Sequence, residues 1–169
     1  MATVTMNYGT YTAMTVTNLQ SLANDSTDPF TGWQSDRVDN QTTTKAMDYE
    51  IAIDLSTAAT AAANDKNAYV YVVPWTYNGS SWIPGANFGT TTVPTGTEGT
   101  ASMTEPNSMK FATALPYNNT SQRLQGTFAV AAVLGYMPDG FSLAIRNCSG
   151  AALSTGCVVA YRPLKYDVN

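Results

Sequence analysis

Phe128-Ala-Val-Ala-Ala-Val-Leu134, Met137-Pro-Asp-Gly140, Phe141-Ser-Leu-Ala-Ile-Arg-Asn147, Ser149-Gly-Ala-Ala-Leu-Ser-Thr-Gly156 and Val158-Val-Ala-Tyr-Arg-Pro-Leu-Lys-Tyr166 follow one another at the end of the chain. The order is apolar run, turn, alternating run, turn, alternating run. Pro presets φ in the first turn and Gly supplies positive φ in both. Three strands separated by such turns indicate an antiparallel all-β domain. The same stretch holds no histidine, no carboxylate pair and no glycine-rich phosphate loop.

The pattern continues upstream. In Lys45–Leu55, Met47, Tyr49, Ile51, Ile53 and Leu55 fall on one face, and Asp48, Glu50 and Asp54 on the other. A period of two is what a half-buried strand requires. Asn67–Val73 is β-branched and aromatic, and Pro74 is expected to stop it. Between them, Ser56–Ala63 reads as a loop or a single helical turn. Ser108–Leu115 and Arg123–Leu134 supply two further strands, and Phe141–Asn147 and Val158–Tyr166 close the set. Trp75-Thr-Tyr77, Asn78-Gly79 and Ser81-Trp-Ile83 read as a small hairpin. The polar excursion Gly85–Pro106 has room for short strands near Gly89–Val93 and Thr100–Met103. The fold class expected is an all-β antiparallel sandwich.

Residues 1–43 are rich in Thr, Asn and Asp, with few apolar positions. They read as an N-terminal arm plus an edge element, ahead of a β-sandwich over 44–169. Val16, Leu19 and Leu22 recur every third residue, and Phe30 and Trp33 follow. A polar arm of this length cannot bury enough apolar surface to order itself. Its anchors are therefore expected on a neighbouring chain, with a flexible tail as the other reading. On the first reading, residues 1–33 are dispensable for folding and needed for binding.

At 169 residues the chain is long enough for one domain with a real core. Charged residues make up 12% and the net charge is −4, with no histidine. The typical charged share is roughly 25%. Arg37, Lys45, Lys66, Lys110, Arg123, Arg146, Arg162 and Lys165 are scattered singly, without the basic stripe that nucleic acid requires. A surface this poor in charge is cheap to desolvate against a neighbouring protein. No basic and apolar leader opens the sequence, and no apolar run approaches the roughly 20 residues of a membrane span. Synthesis in a cytosol and no membrane partner are the expectations.

Chemistry is sparse. Serine or cysteine catalysis lacks a histidine base, and no lysine stands near a serine in a recognisable spacing. Asp36/Asp39 and Asp48/Glu50/Asp54 are the carboxylate sets, and the second reads as a solvated strand face. Asp36-Arg-Val-Asp-Asn40 lacks the spacing and glycine of a calcium loop. Cys148 and Cys157 are read as reduced small residues, with a cross-hairpin disulfide as the alternative. No enzymatic activity, cofactor or metal is expected. Trp75, Tyr77 and Trp82 near an exposed turn form a sugar-stacking platform, an interface anchor or a satellite cluster.

Val38-Asp-Asn40, Asn64-Asp-Lys66-Asn-Ala-Tyr-Val-Tyr71, Gly126–Leu134, Pro138–Asn147, Ser149–Leu153 and the closing Val159-Ala-Tyr-Arg-Pro163 span about two-thirds of the chain. In order and spacing this set resembles the capsid cement or decoration proteins of tailed bacteriophages. The resemblance implies a jelly-roll sandwich and a non-enzymatic virion protein made in the host cytoplasm. It implies binding to the major capsid protein on the outside of the head, as a homo-oligomer, dimer or trimer. Pro138-Asp-Gly140 stands where the family usually has an aromatic turn residue, and the cysteines are additions. The alternative is a host- or carbohydrate-binding virion module of a tail or fibre. The candidate interface residues are Val16, Leu19, Leu22, Phe30, Trp33, Trp75, Tyr77 and Trp82.

Overall fold

The computed structural model describes residues 4–59, 66–89, 92–104, 109–118 and 120–168. Among the described residues twelve strands run in chain order: β1 (Val4–Tyr8), β2 (Thr12–Ala13), β3 (Phe30–Gln34), β4 (Val38–Asp39), β5 (Asp48–Ser56) and β6 (Asn67–Tyr77). After them come β7 (Trp82–Pro84), β8 (Gly99–Met103), β9 (Lys110–Asn118), β10 (Arg123–Ala129), β11 (Gly140–Cys148) and β12 (Val158–Val168). A one-turn helix, α1 (Val130–Leu134), joins β10 to the turn before β11.

All pairings are antiparallel, in the order β1-β12-β5-β10-β9-β6-β11-β3-β8. β9 is where the path folds over. Its Tyr117 pairs with Leu124 of β10, whereas Phe111–Pro116 pair along β6. The result is an all-β sandwich with a first sheet around β12-β5-β10 and a second around β6-β11-β3. The core between them takes Tyr49, Ile51, Ile53 and Leu55 from β5, Val70 and Val72 from β6, Leu115 from β9, Leu124 from β10 and Val159 from β12. Phe141, Leu143 and Ile145 come from β11. A second cluster lies on the outer face of the second sheet. There Phe30, Tyr71, Val73, Trp75 and Ala144 are covered by Ala86, Phe88 and Met103 of the long excursion and by Met109, just ahead of β9.

Three expectations change in detail. β6 continues through Pro74 to Tyr77. The Pro74 carbonyl accepts from Gly85 N–H at 2.7 Å, just beyond the end of β7. In an antiparallel ladder a residue's N–H and C=O point the same way. The missing donor therefore falls where the ladder stops and costs no bond. The strand read as Arg123–Leu134 ends at Ala129. Ala131 and Ala132 favour helix, Ala131 N–H is capped by Asp48 Oδ1 at 2.8 Å, and Gly135 closes the turn at φ 79°. Thr100–Met103 is a strand, but Gly89, Thr92 and Val93 lie outside any strand. Residues 90–91, residues 60–63 of the expected loop or helical turn, and Ser108 lie outside the described residues.

The N-terminal segment is the larger correction. Leu19, Leu22, Phe30 and Trp33 are all buried against this same chain, and Val16 packs partly buried against the core. β3 fills the gap between β11 and β8, so position 43 marks no structural border. The segment orders itself by adding strands to the sheets rather than by making a core of its own. Glu98 ties it down: Oε1 accepts from Trp33 Nε1 at 2.7 Å and Asn18 N–H at 2.8 Å, and Oε2 from Asn18 Nδ2.

Candidate binding surfaces

Of the expected interface residues, the three on the β6–β7 hairpin come together, with Tyr77 and Trp82 partly exposed and Trp75 buried. The hairpin turns over Asn78–Ser81, where Asn78 Oδ1 accepts from the N–H groups of Ser80 and Ser81. Tyr77 and Trp82 face each other across the strands at 5.1 Å. The Arg37 guanidinium lies between Trp82, at 4.3 Å, and Trp75, at 5.1 Å. Burial pushes the Arg37 pKa down from its usual value. Trp75 is itself buried and donates Nε1–H to Ser142 Oγ at 2.9 Å. Trp82 packs over Gly140, where an added Cβ would lie 2.9 Å from the indole. The geometry is that of a packed turn, held by Tyr77 N–H on Asp139 Oδ2. Trp75 is closed to a ligand, and both Trp75 and Trp82 already carry a cation.

An open cleft of about 590 Å³ lies elsewhere on the second sheet, lined by Lys66, Tyr69, Tyr71, Phe111, Arg146 and Cys148 among others. Tyr69 and Tyr71 share the outward face of β6, and Phe111 stands beside both at 6.5 and 5.9 Å. Phe111 is more than half exposed. Arg146 is committed inward: it donates to the carbonyls of Thr27, at 2.9 Å, and Asp25, at 3.3 Å, and stacks on Phe30. The sequence reading did not single out this cleft. The Tyr69-Val-Tyr71 alternation was its one visible sign, and Phe111 joins it only through the β6–β9 register.

The outer face of the first sheet is the third surface. The register aligns Ala160, Ala52 and Thr127 across β12, β5 and β10, with Val158, Asp54 and Gln125 in the row on one side. On the other side run Arg162, Glu50 and Ala129. The centre carries small side chains around a hollow of about 390 Å³. The charges on it are paired. Arg123 makes a bidentate contact with Asp54, and Arg162 reaches Glu50 Oε2 at 2.6 and 2.9 Å. The Arg162 hydrogen bonds, with one from Tyr11, hold the Glu50 carboxyl below its ordinary range.

Among the described residues no group of three or more His, Cys, Asp or Glu could hold a metal ion. The cysteines are not bridged to each other, and Cys148 Sγ donates to the Asp25 carbonyl at 3.4 Å. Burial pushes the Cys157 thiol up, and its Sγ sits 3.2 Å from the Ser154 carbonyl. No helix among the described residues is long and apolar enough to cross a membrane.

No family model and no curated protein matches the chain. Among solved structures, the metal-free form of lectin I-B4 from Griffonia simplicifolia is similar at a TM-score of 0.28 and 9% identity. The match covers 98% of this chain and 93% of the lectin. A likeness that loose carries no argument about this chain.

Proposed function

We propose that this chain is a structural virion protein that binds the outer surface of a phage head and stabilises the major capsid protein lattice. The observation that carries the binding part is the outer face of the first sheet. It is small-residued, and Arg123 and Arg162 are already paired with Asp54 and Glu50, so a docking protein leaves neither ion pair without its partner. The phage-head part rests on the sequence resemblance. The strand order supports a jelly-roll reading: consecutive β5 and β6 pair with consecutive β12 and β11, one pair in each sheet, as in a rolled-up hairpin. The role is non-enzymatic. Many weak contacts, one per lattice site, sum to a lattice harder to open.

The test is co-sedimentation with purified heads lacking this protein, followed by a particle map with and without it. Added density on the outer shell is expected. Thr127→Arg on this outer face should weaken binding while leaving the melting curve unchanged. Failure of the wild-type chain to bind heads would remove the reading.

The cleft supports a second reading, a carbohydrate-binding virion module. Tyr69 and Phe111 offer rings to stack on a sugar, with the buried Tyr71 behind Phe111, and Lys66 lies beside them. This moves the candidate platform away from Trp75, Tyr77 and Trp82. Binding on a glycan array, lost in Phe111→Ala, would favour it over the cement role.

A further inference from the structure

β1 and the last residues of β12 form a two-stranded ribbon that runs past the rest of the first sheet. β5 begins at Asp48, opposite Leu164, so Lys165–Val168 pair with β1 alone. All five residues of β1 are exposed. An isolated pair of strands is marginal in water.

The ribbon is two-faced. The register places Val4, Met6 and Tyr8 on the same face as Leu164 and Tyr166, and Thr5 and Asn7 on the other with Lys165 and Asp167. Val4, Met6, Tyr8 and Tyr166 are all exposed. Tyr8 is steadied by the Arg162 guanidinium 4.6 Å above its ring.

The far edge of β1 carries no strand among the described residues. Which groups face it follows from the ladder. Gly9 N–H donates to Pro163 O at 2.8 Å, so Gly9 and its opposite number form a hydrogen-bonded pair. Such pairs alternate in an antiparallel ladder, which turns Asn7 and Thr5 toward β12. The N–H and C=O groups of Val4, Met6 and Tyr8 therefore point to the open edge. Natural edges are usually blunted by a lysine, a proline or a bulge. Val4-Thr-Met-Asn-Tyr8 has no charge and no proline, and its register with β12 is regular.

We propose that β1 is the dimerisation edge of this protein, pairing antiparallel with β1 of a second copy about a two-fold axis through Met6. In that register Met6 faces Met6 of the second copy and Val4 faces its Tyr8. Every outward N–H and C=O of Val4, Met6 and Tyr8 then has a partner, and the apolar faces of the two ribbons become one. Charge selects the same arrangement. On the polar face each cross-strand row begins with Lys165 and ends with Asp167 of the second copy. A parallel pairing would align Lys165 with Lys165 and Asp167 with Asp167. The contact is isologous, so it closes at two copies and does not grow into a fibre. It stands whether the sandwich binds a capsid or a glycan.

Sedimentation velocity across a concentration series, with Met6→Cys and Thr5→Cys compared under mild oxidation, tests this edge. The wild type should sediment as a dimer. Met6→Lys, which sets two like charges on the axis, should raise the dimer Kd by at least ~tenfold. Its melting curve should hold, because β1 lies outside the core. Met6→Cys should cross-link to a disulfide dimer, since directly opposed Cα atoms in such a ladder lie within disulfide range. Thr5→Cys faces Asn7 of the second copy and should cross-link at least ~tenfold more slowly. A wild-type monomer up to about 100 µM would overturn the proposal. So would equal cross-linking at the two positions, or a trimer without a Met6→Cys cross-link. A monomer that binds heads through this ribbon would equally overturn it, by naming the shell as occupant.

Discussion

β5 and β11 are both nine-residue strands in the middle of a sheet, and they bury differently. β5 alternates strictly between buried and half-buried residues, whereas β11 is buried from Gly140 through Asn147. Their sequences differ much less. Phe141-Ser-Leu-Ala-Ile-Arg-Asn147 alternates in polarity almost as cleanly as Tyr49-Glu-Ile-Ala-Ile-Asp-Leu55. What differs is the cover. The outer face of β5 meets solvent. The outer face of β11 lies under the excursion and the N-terminal segment, and each polar group there has been given a partner. Ser142 accepts from Trp75 and Arg146 donates to two carbonyls, and at the end of the inner face Asn147 Nδ2 donates to the carbonyls of Leu22 and Ala151. Buried polar groups are tolerated when satisfied in this way. Alternation therefore tells which face points to the main core and leaves open what covers the other.

The comparison breaks most drastically at the N-terminus. Removing residues 1–33 strips Leu19, Leu22, Phe30 and Trp33 from the two clusters and uncovers one side of β11. Each large buried side chain is worth roughly 2–5 kcal/mol, against a total stability of about 5–15 kcal/mol. The truncated chain should show no cooperative thermal transition by circular dichroism. A folded truncation would restore the reading of this segment as a detachable arm.

Next come point changes on the two outer faces. Phe88 is fully buried in the outer cluster of the second sheet. Phe88→Ala should cost about 3–5 kcal/mol, as much as a change in the main core. Thr127→Ala, on the outer face of the first sheet, should stay within about 0.5 kcal/mol. Urea midpoints of the two variants make the measurement. Near-equal effects would mean that the excursion is not a second core.

Much of the sandwich was legible because its strands carry period-two patterns that survive without context. Tyr49, Ile51, Ile53 and Leu55 reach the core as the alternation required. The failures share one cause, partners remote in sequence. Nothing within residues 14–33 tells that Leu22 O will accept from Leu153 N–H, or that Glu98 will take Trp33 and Asn18 together. The helix over Val130–Leu134 was hidden because Asp48, which caps it, lies 83 residues away. The aromatic hairpin was located correctly, but Arg37, from the link between β3 and β4, and Ser142, from β11, which occupy its tryptophans, are remote in sequence. The cleft of Tyr69, Tyr71 and Phe111 exists only once β6 and β9 are in register.

A smaller effect probes how tightly the inner faces meet. Gly126 points inward from β10, and a Cβ there would lie 2.5 Å from Leu115 Cδ2. Gly126→Ala should cost roughly 1–3 kcal/mol, because an overfilled core must shift. The Gly126→Ala, Leu115→Ala double variant should recover part of the loss due to the glycine change. An unchanged urea midpoint in Gly126→Ala would mean that the sheets separate freely at this point.

The smallest effects are in acid, where the two sheets should respond to different perturbations. Asp25 docks the N-terminal segment on the second sheet. Its carboxylate accepts from the Thr27 hydroxyl and from the backbone N–H groups of Thr31 and Thr27, which lower its pKa from 3.8 to about 2. Glu50, on the open face of the first sheet, is held below 4.5 chiefly by the Arg162 hydrogen bonds. Both folded values lie below the unfolded ones. The stability each group contributes is therefore complete above its unfolded pKa and is lost as pH falls through its folded pKa. For Asp25 the window runs from pH 3.8 down to about 2, and for Glu50 it opens below pH 4.5. Asp25→Asn and Glu50→Gln should each flatten the urea midpoint over its own window. Salt separates the two. At about 1 M, charges a few ångströms apart at a surface are screened, whereas donation from a neutral N–H to a carboxylate depends less on ionic strength. Salt should thus shrink the Glu50 contribution and largely spare that of Asp25. Equal salt sensitivity would mean that Asp25 acts through Arg146 rather than through Thr27 and Thr31, and the loop would then be held by charge rather than by its backbone.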